Sequence, residues 1–121
     1  MYDMKALYQA KSVQDAVALR VAHPEAQIIA GGSDVLVQMR EGKRAGVELI
    51  SIYGLDELRG VTMEDDGTLR IGSLTSFSHI TRDPLIQKYL NVLGEAVDQV
   101  GGPQIRNIGT IGGNTCNGVT S

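Results

Sequence analysis

Two short glycine-rich segments carry most of the chemical potential of this chain, Ala30-Gly31-Gly32-Ser33-Asp34 and Thr110-Ile111-Gly112-Gly113-Asn114. Paired glycines let a backbone approach a bulky ligand and turn several N–H groups the same way. Such concavities bind anions. Ser33 adds a hydroxyl donor, and Asn114 adds an amide that both donates and accepts. The first segment also follows the apolar run Gln27-Ile28-Ile29-Ala30 and precedes a helix start. Unpaired N–H groups and the helix dipole favour a phosphate there. Such a loop is most often a tight turn with a helix cap and no ligand, and Gly112-Gly113-Asn114 also suits a bulge or turn, so spacing alone leaves both readings open. Neither segment matches G-x-G-x-x-G or G-x-x-x-x-G-K-[ST], which disfavours a Rossmann or P-loop nucleotide site.

Other candidates are weaker. His23 beside Pro24 and His79 in a polar turn read as surface or capping residues, and no H-x-x-x-H pair exists. Cys116 reads as a structural thiol, because no partner base stands near it in the sequence. Glu64-Asp65-Asp66 reads as a solvated hairpin tip. Arg106 suits either an anion or a loop carbonyl. No catalytic side chain and no metal site are expected.

The elements that must hold the two segments are partly visible. Ser12 precedes Val13, Ala16, Val17 and Arg20 at helical spacing, and Asp15 completes a variant capping box. Pro24 ends that helix. Gln27 to Ala30 predicts a buried strand. Ser33 or Asp34 then caps a short helix with Val35, Leu36 and Met39 inward, closed by Gly42. Val47 to Ile52 predicts a second strand, parallel to the first through a short crossover. The pattern changes after a turn at Gly54 to Gly60. Val61-Thr62-Met63 and Leu69-Arg70-Ile71 flank Asp65-Asp66-Gly67, a hairpin signal. Asp83-Pro84 marks a helix start. Leu93, Ala96, Val97 and Val100 form a further helical stripe, stopped by Gly101-Gly102-Pro103. From Gly101 to Ser121, six of the residues are glycine and only Arg106 is charged. That segment is expected to be a loosely held loop, and the chain is expected to be cut short.

Composition sets outer bounds. The chain has 121 residues, 42% hydrophobic and 21% charged, as an ordinary soluble globular protein does. A net charge of -3 argues against a nucleic-acid binder, which needs a surplus of Lys and Arg. The single cysteine excludes an internal disulfide and a cysteine-based metal cage. Met1 to Lys5 does not open a secretory signal, and no apolar run reaches membrane-spanning length, so a cytoplasmic location and no membrane partner are expected.

The two segments in this order resemble a known family. Ile28-Ile29-Ala30-Gly31-Gly32-Ser33-Asp34 resembles the A-G-G-[TS]-D element of the FAD domain in xanthine dehydrogenase, carbon monoxide dehydrogenase and related molybdenum hydroxylases. Gly102 to Asn114, with Gln104-Ile105-Arg106-Asn107 at its centre, is similar to that family's Q-[IV]-R-N-x-[GA]-T-x-G-G-N element. Leu69-Arg70-Ile71-Gly72-Ser73-Leu74-Thr75 is similar to its I-G-A-x-[TS] strand end. Ser33 stands where threonine is commoner, which keeps the hydroxyl.

The resemblance covers essentially the whole chain. It implies an α/β (α+β) fold of the two-lobed alcohol-oxidase/CO-dehydrogenase-flavoprotein type. Residues 1–55 would be the small FAD-binding lobe, and residues 56–121 an incomplete second lobe. FAD would lie between them. Gln27, Ile28, Ile29, Ala30, Gly31, Gly32, Ser33 and Asp34 would line its pyrophosphate and ribityl chain. Thr110, Ile111, Gly112, Gly113 and Asn114 would close over the same diphosphate, with Val100 against the adenine. The flavin carries the redox step and the protein supplies binding and orientation. Implied partners are an iron–sulfur subunit and a molybdenum-cofactor subunit, with NAD or another acceptor taking the electrons. Family members continue past this point, so the 121-residue form is expected to bind FAD weakly or not at all. The competing readings are another two-lobed flavoprotein and a non-catalytic interaction module.

Overall fold

A computed structural model describes residues 3–118 and divides the chain into two compact units, Met1–Leu55 and Asp56–Ser121. The first unit runs β1 (Met4–Gln9), α1 (Val13–Ala22), β2 (Gln27–Ile29), α2 (Val35–Arg40) and β3 (Val47–Ser51). Its three strands are all parallel, in the order β1-β3-β2. The connection through α1 passes over β3, and the one through α2 steps back. Right-handed crossovers in opposite directions put the two helices on opposite faces of the sheet. Side chains of β3 agree, since successive residues of a strand point to opposite faces. Leu49 packs with Met39 of α2 and with Ile29, and Glu48 meets His23 at the end of α1.

Strand β1 is a departure from the sequence reading, which begins its elements at α1. Met4–Gln9 lies at the sheet edge, and because exposed Leu7 stands between Ala6 and Tyr8 its alternating burial does not show as an apolar–polar alternation in the sequence. Helix α1 starts as expected. The Ser12 hydroxyl accepts from the Asp15 N–H at 2.9 Å, and the Asp15 carboxylate accepts from the Lys11 N–H at 2.8 Å. Of its apolar stripe only Ala16 is buried, and Val17 is 59% exposed. The end of α1 is pinned by His23, which stacks on Tyr8 with ring centroids 4.1 Å apart. The Tyr8 hydroxyl donates to Glu48 at 3.4 Å, and partial burial followed by the Glu48 charge raises its pKa.

The second unit opens with a 3-10 turn at Asp56–Leu58 and the antiparallel pair β4 (Val61–Met63) and β5 (Leu69–Ile71). Gly67 turns the hairpin with φ +88°, and the Asp66 carboxylate accepts from the Thr68 N–H, which lowers its pKa. Five helices follow: α3 (Phe77–Arg82), α4 (Pro84–Tyr89), α5 (Asn91–Val97), α6 (Pro103–Ile108) and α7 (Ile111–Asn117). Phe77, Ile80, Ile86 and Val97 form the core, with Val61, Ile71, Leu93, Val100 and Ile111 packed around them.

Asp83 caps α4 as its sequence signal implies, accepting from the N–H groups of Leu85 and Ile86. His79 lies in helix α3 rather than in a turn, because the Ser76 hydroxyl caps that helix at the His79 N–H. Its ring nitrogen Nε2 sits 3.1 Å from the Asp83 carboxylate. The stripe from Leu93 to Val100 holds only to Val97, where α5 ends. The largest correction concerns the final segment, expected as a loose loop. Pro103 opens α6, Thr110 caps α7, and Gly118 at φ +68° closes it. Low helix propensity at the glycines is overridden by tertiary contacts. Residues 119–121, the rest of that segment, lie outside the described residues.

Candidate functional site

The first glycine segment lies at the carboxyl end of the parallel sheet, where open α/β sheets bind ligands. The ladder ends with Ile29 beside Ser51, and the Ile52 N–H donates to the Ile29 carbonyl at 3.0 Å. Gly32 then takes φ +76°, and α2 begins with Leu36 N–H donating to the Gly32 carbonyl at 3.0 Å. Among the described residues, the N–H groups of Gly31, Gly32, Ser33, Asp34 and Val35 donate to no protein acceptor. The side-chain cap expected from Asp34 is not made. Asp34 already has αR geometry (φ -103°, ψ -46°), and its carboxylate instead accepts from Gln38 Nε2 at 2.5 Å. The i,i+4 spacing brings the two together. The N–H groups of this turn are therefore left to solvent or to a ligand.

The second segment is built differently. The expectation that its backbone N–H groups face an anion is not met. Ile111 N–H donates to the Thr75 carbonyl at 3.1 Å and Gly112 N–H to the Ser73 carbonyl at 2.8 Å. Gly113 N–H donates to the Thr110 hydroxyl at 3.0 Å, and Asn114 N–H to the Thr110 carbonyl at 3.0 Å. All four belong to the first turn of α7 and its docking against the Gly72–Thr75 stretch. A Cβ on Gly112 would lie 2.7 Å from Ser73, so that glycine serves close packing. The polar group left outward is the amide of Asn114, which is exposed, whereas Thr110 is 4% exposed.

Val100 packs its side chain against the Phe77 core. Of the two roles open to Arg106, the structure shows the brace. Its Nη1 donates to the Gly101 carbonyl at 2.7 Å and to the Val100 carbonyl at 3.3 Å, with Asp98 3.9 Å from Nε. Gln38 and Arg44 were not singled out from sequence, yet both join the first segment through side-chain bonds. Lys43 stands nearby, and its pKa is raised chiefly by Glu41, with a smaller contribution from the Asp34 charge.

Cys116 is exposed on α7, and among the described residues no group of three or more His, Cys, Asp or Glu could hold a metal ion. Among them too, no helix is long and apolar enough to cross a membrane. Cys116→Ser is expected to leave flavin content unchanged within about twofold, as exposed substitutions usually do. Flavin absorbance per chain would check this, and a large loss would show that the thiol takes part in holding the cofactor.

Consecutive unpaired N–H donors, on glycines that allow close approach, are a donor set that suits the diphosphate of FAD. Comparison with known proteins agrees. The family described as the FAD binding domain in molybdopterin dehydrogenase matches residues 2–121. The chain is 42% identical over 121 residues to the xanthine dehydrogenase FAD-binding subunit of Escherichia coli O157:H7, covering 100% of this chain and 41% of that one. It is 38% identical over 109 residues to the carbon monoxide dehydrogenase medium chain of Hydrogenophaga pseudoflava, covering 89% of this chain and 38% of that one. A solved carbon monoxide dehydrogenase from Hydrogenophaga pseudoflava superimposes with a TM-score of 0.92 at 34% identity, over 98% of this chain and 41% of that one. The chain thus spans about 41% of the length of such relatives. It belongs to the family of FAD-binding domains found in molybdopterin dehydrogenases.

Proposed function

We propose that this chain holds FAD through the backbone N–H groups of Gly31 to Val35, as part of the flavin subunit of a molybdenum hydroxylase. The observation that carries this is the run of unpaired donors at the carboxyl edge of the sheet, in a chain of this family. Gln27, Ile28 and Ile29 form the strand that delivers the loop, and Ala30, Gly31 and Gly32 keep its surface low. Ser33 is exposed and supplies a hydroxyl. In the second unit, Asn114 is proposed to contact the cofactor through its side-chain amide. Thr110, Ile111, Gly112 and Gly113 set its position, and Val100 is proposed to meet the adenine. FAD supplies the redox chemistry when bound, and these residues bind and orient it.

In the proposed complex, electrons reach this subunit from an iron–sulfur subunit served by a molybdenum-cofactor subunit. They leave to NAD or another acceptor. The relatives' names fit such a role, since they include FAD-binding and medium chains of xanthine and carbon monoxide dehydrogenases. Purification of the protein as its host makes it, with its partners, is the test. One FAD per chain is expected, together with co-purifying iron and molybdenum and reduction of NAD by the hydroxylase substrate. A protein without flavin would sink the cofactor reading, and a flavoprotein without iron or molybdenum would sink the complex.

A further inference from the structure

A chain of side-chain hydrogen bonds ties the glycine loop to the strand that precedes it. The Asp34 carboxylate accepts from Gln38 Nε2 at 2.5 Å. The other end of that amide, Gln38 Oε1, accepts from Arg44 Nε. Arg44 Nη1 donates to Gln27 Oε1 at 2.7 Å, and Gln27 Nε2 donates to the Ile28 carbonyl at 3.0 Å. Asp34, Gln38, Arg44 and Gln27 are all half-buried. The direction of the bonds is forced by chemistry. Arginine can only donate and a carboxylate can only accept, so Gln38 must turn its oxygen to Arg44 and its nitrogen to Asp34.

The consequence lies in where this puts a negative charge. An aspartate at this position of a helix ordinarily turns its carboxylate to the N–H groups of the first turn. Turned that way, Asp34 would set a carboxylate among the donors proposed for the diphosphate, where like charge repels. The relay holds it along α2 instead. We propose that Arg44, acting through Gln38, is a positioning residue that keeps the Asp34 carboxylate away from the Gly31–Val35 donors and so leaves them for an anionic ligand. This rests on the assignment of FAD to that loop. The ligand contact of Asp34 is its backbone N–H, which side-chain substitution leaves in place.

The test is FAD binding to the flavin-stripped full-length protein, followed by flavin fluorescence. Arg44→Ala is expected to raise the Kd on the order of tenfold, the effect of one uncompensated charge near an anion. Gln38→Leu frees Asp34 by a different route and should do the same. Adding Asp34→Asn to Arg44→Ala should restore most of the lost affinity, because the released side chain no longer carries charge. A purely structural role for Arg44 would give no such rescue. Should Arg44→Ala and Gln38→Leu both bind FAD as tightly as the wild type, the proposal fails alone. It also fails if the double variant stays as weak as Arg44→Ala. Wild-type protein that takes up no FAD would remove the underlying assignment and the proposal together.

Discussion

Gly72→Ala is expected to destabilise the second unit by about 3 kcal/mol, the sum of overpacking and one lost hydrogen bond. A Cβ on Gly72 would stand 2.1 Å from the Leu58 carbonyl oxygen and 2.6 Å from its carbon. Both atoms are backbone, so no side-chain rotation relieves the clash. The same oxygen accepts from the Leu74 N–H at 2.9 Å, and Gly72 N–H itself donates to the Gly60 carbonyl at 2.9 Å. Moving Leu58 aside therefore pulls on the stretch that docks α7, since Ser73 and Thr75 accept from Gly112 and Ile111. Buried Thr75 shares the strain. Its hydroxyl accepts from the Gly60 N–H at 2.9 Å and donates to the Gly60 carbonyl at 3.2 Å. Urea unfolding would measure the cost, with Gly102→Ala of the same unit as reference because its nearest atom is the end of the Gln104 side chain, 3.4 Å away. A difference below about 1 kcal/mol would mean that the Leu58 segment yields freely, and the close packing would carry no weight.

How much of this was legible in the residues depended on how local the cause was. Ser12, Asp83-Pro84 and Asp66-Gly67 act within four residues of themselves, and their cap and turn roles are present as read. β2, α2 and β3 have apolar runs long enough to show. β1 was illegible because its partner β3 lies some forty residues away and its run Ala6-Leu7-Tyr8 hides the alternation that its burial follows. Helix α7 was illegible because its paired glycines argue against a helix, and the bonds that settle the matter come from Ser73 and Thr75, while α6 is a single short run opened by Pro103.

The candidate site divides along the same line. The strand–glycine–helix order of Gln27 to Asp34 is local, and it marked the loop. Whether an N–H is free is a property of the folded neighbourhood, so two glycine pairs that look alike in sequence proved opposite in structure. Gln38 stands at i+4 from Asp34 and could have been paired by spacing. Arg44 could not, because it reaches Gln38 and Gln27 only after the chain reverses at Gly42, φ +81°, beyond α2.

Gly32→Val in the full-length protein is expected to abolish stoichiometric FAD binding while Gly42→Val preserves it. The two glycines make a matched pair. Gly32 has φ +76° and Gly42 φ +81°, a region where a side chain strains the backbone by roughly 1–2 kcal/mol. They flank the same short helix. A Cβ at Gly42 meets nothing within 4 Å, whereas one at Gly32 lies 3.0 Å from Leu36 Cδ1 and 3.2 Å from Ile29 Cδ1. Valine at Gly32 must therefore crowd the Leu36 and Ile29 side chains, and it puts a β-branched group into the turn that carries the Gly31–Val35 donors. Each charge-assisted bond to a diphosphate is worth roughly 1.5–3 kcal/mol, so losing two raises the Kd by at least about a hundredfold. Backbone strain alone predicts equal damage from both variants, crowding of Leu36 and Ile29 predicts a less stable Gly32→Val, and ligand contact predicts loss of FAD from Gly32→Val at the stability of Gly42→Val. Flavin absorbance per chain, with thermal unfolding of both variants alongside, separates the three. If Gly32→Val keeps one FAD per chain, or if both variants lose it together, the loop is a turn and the diphosphate is held elsewhere.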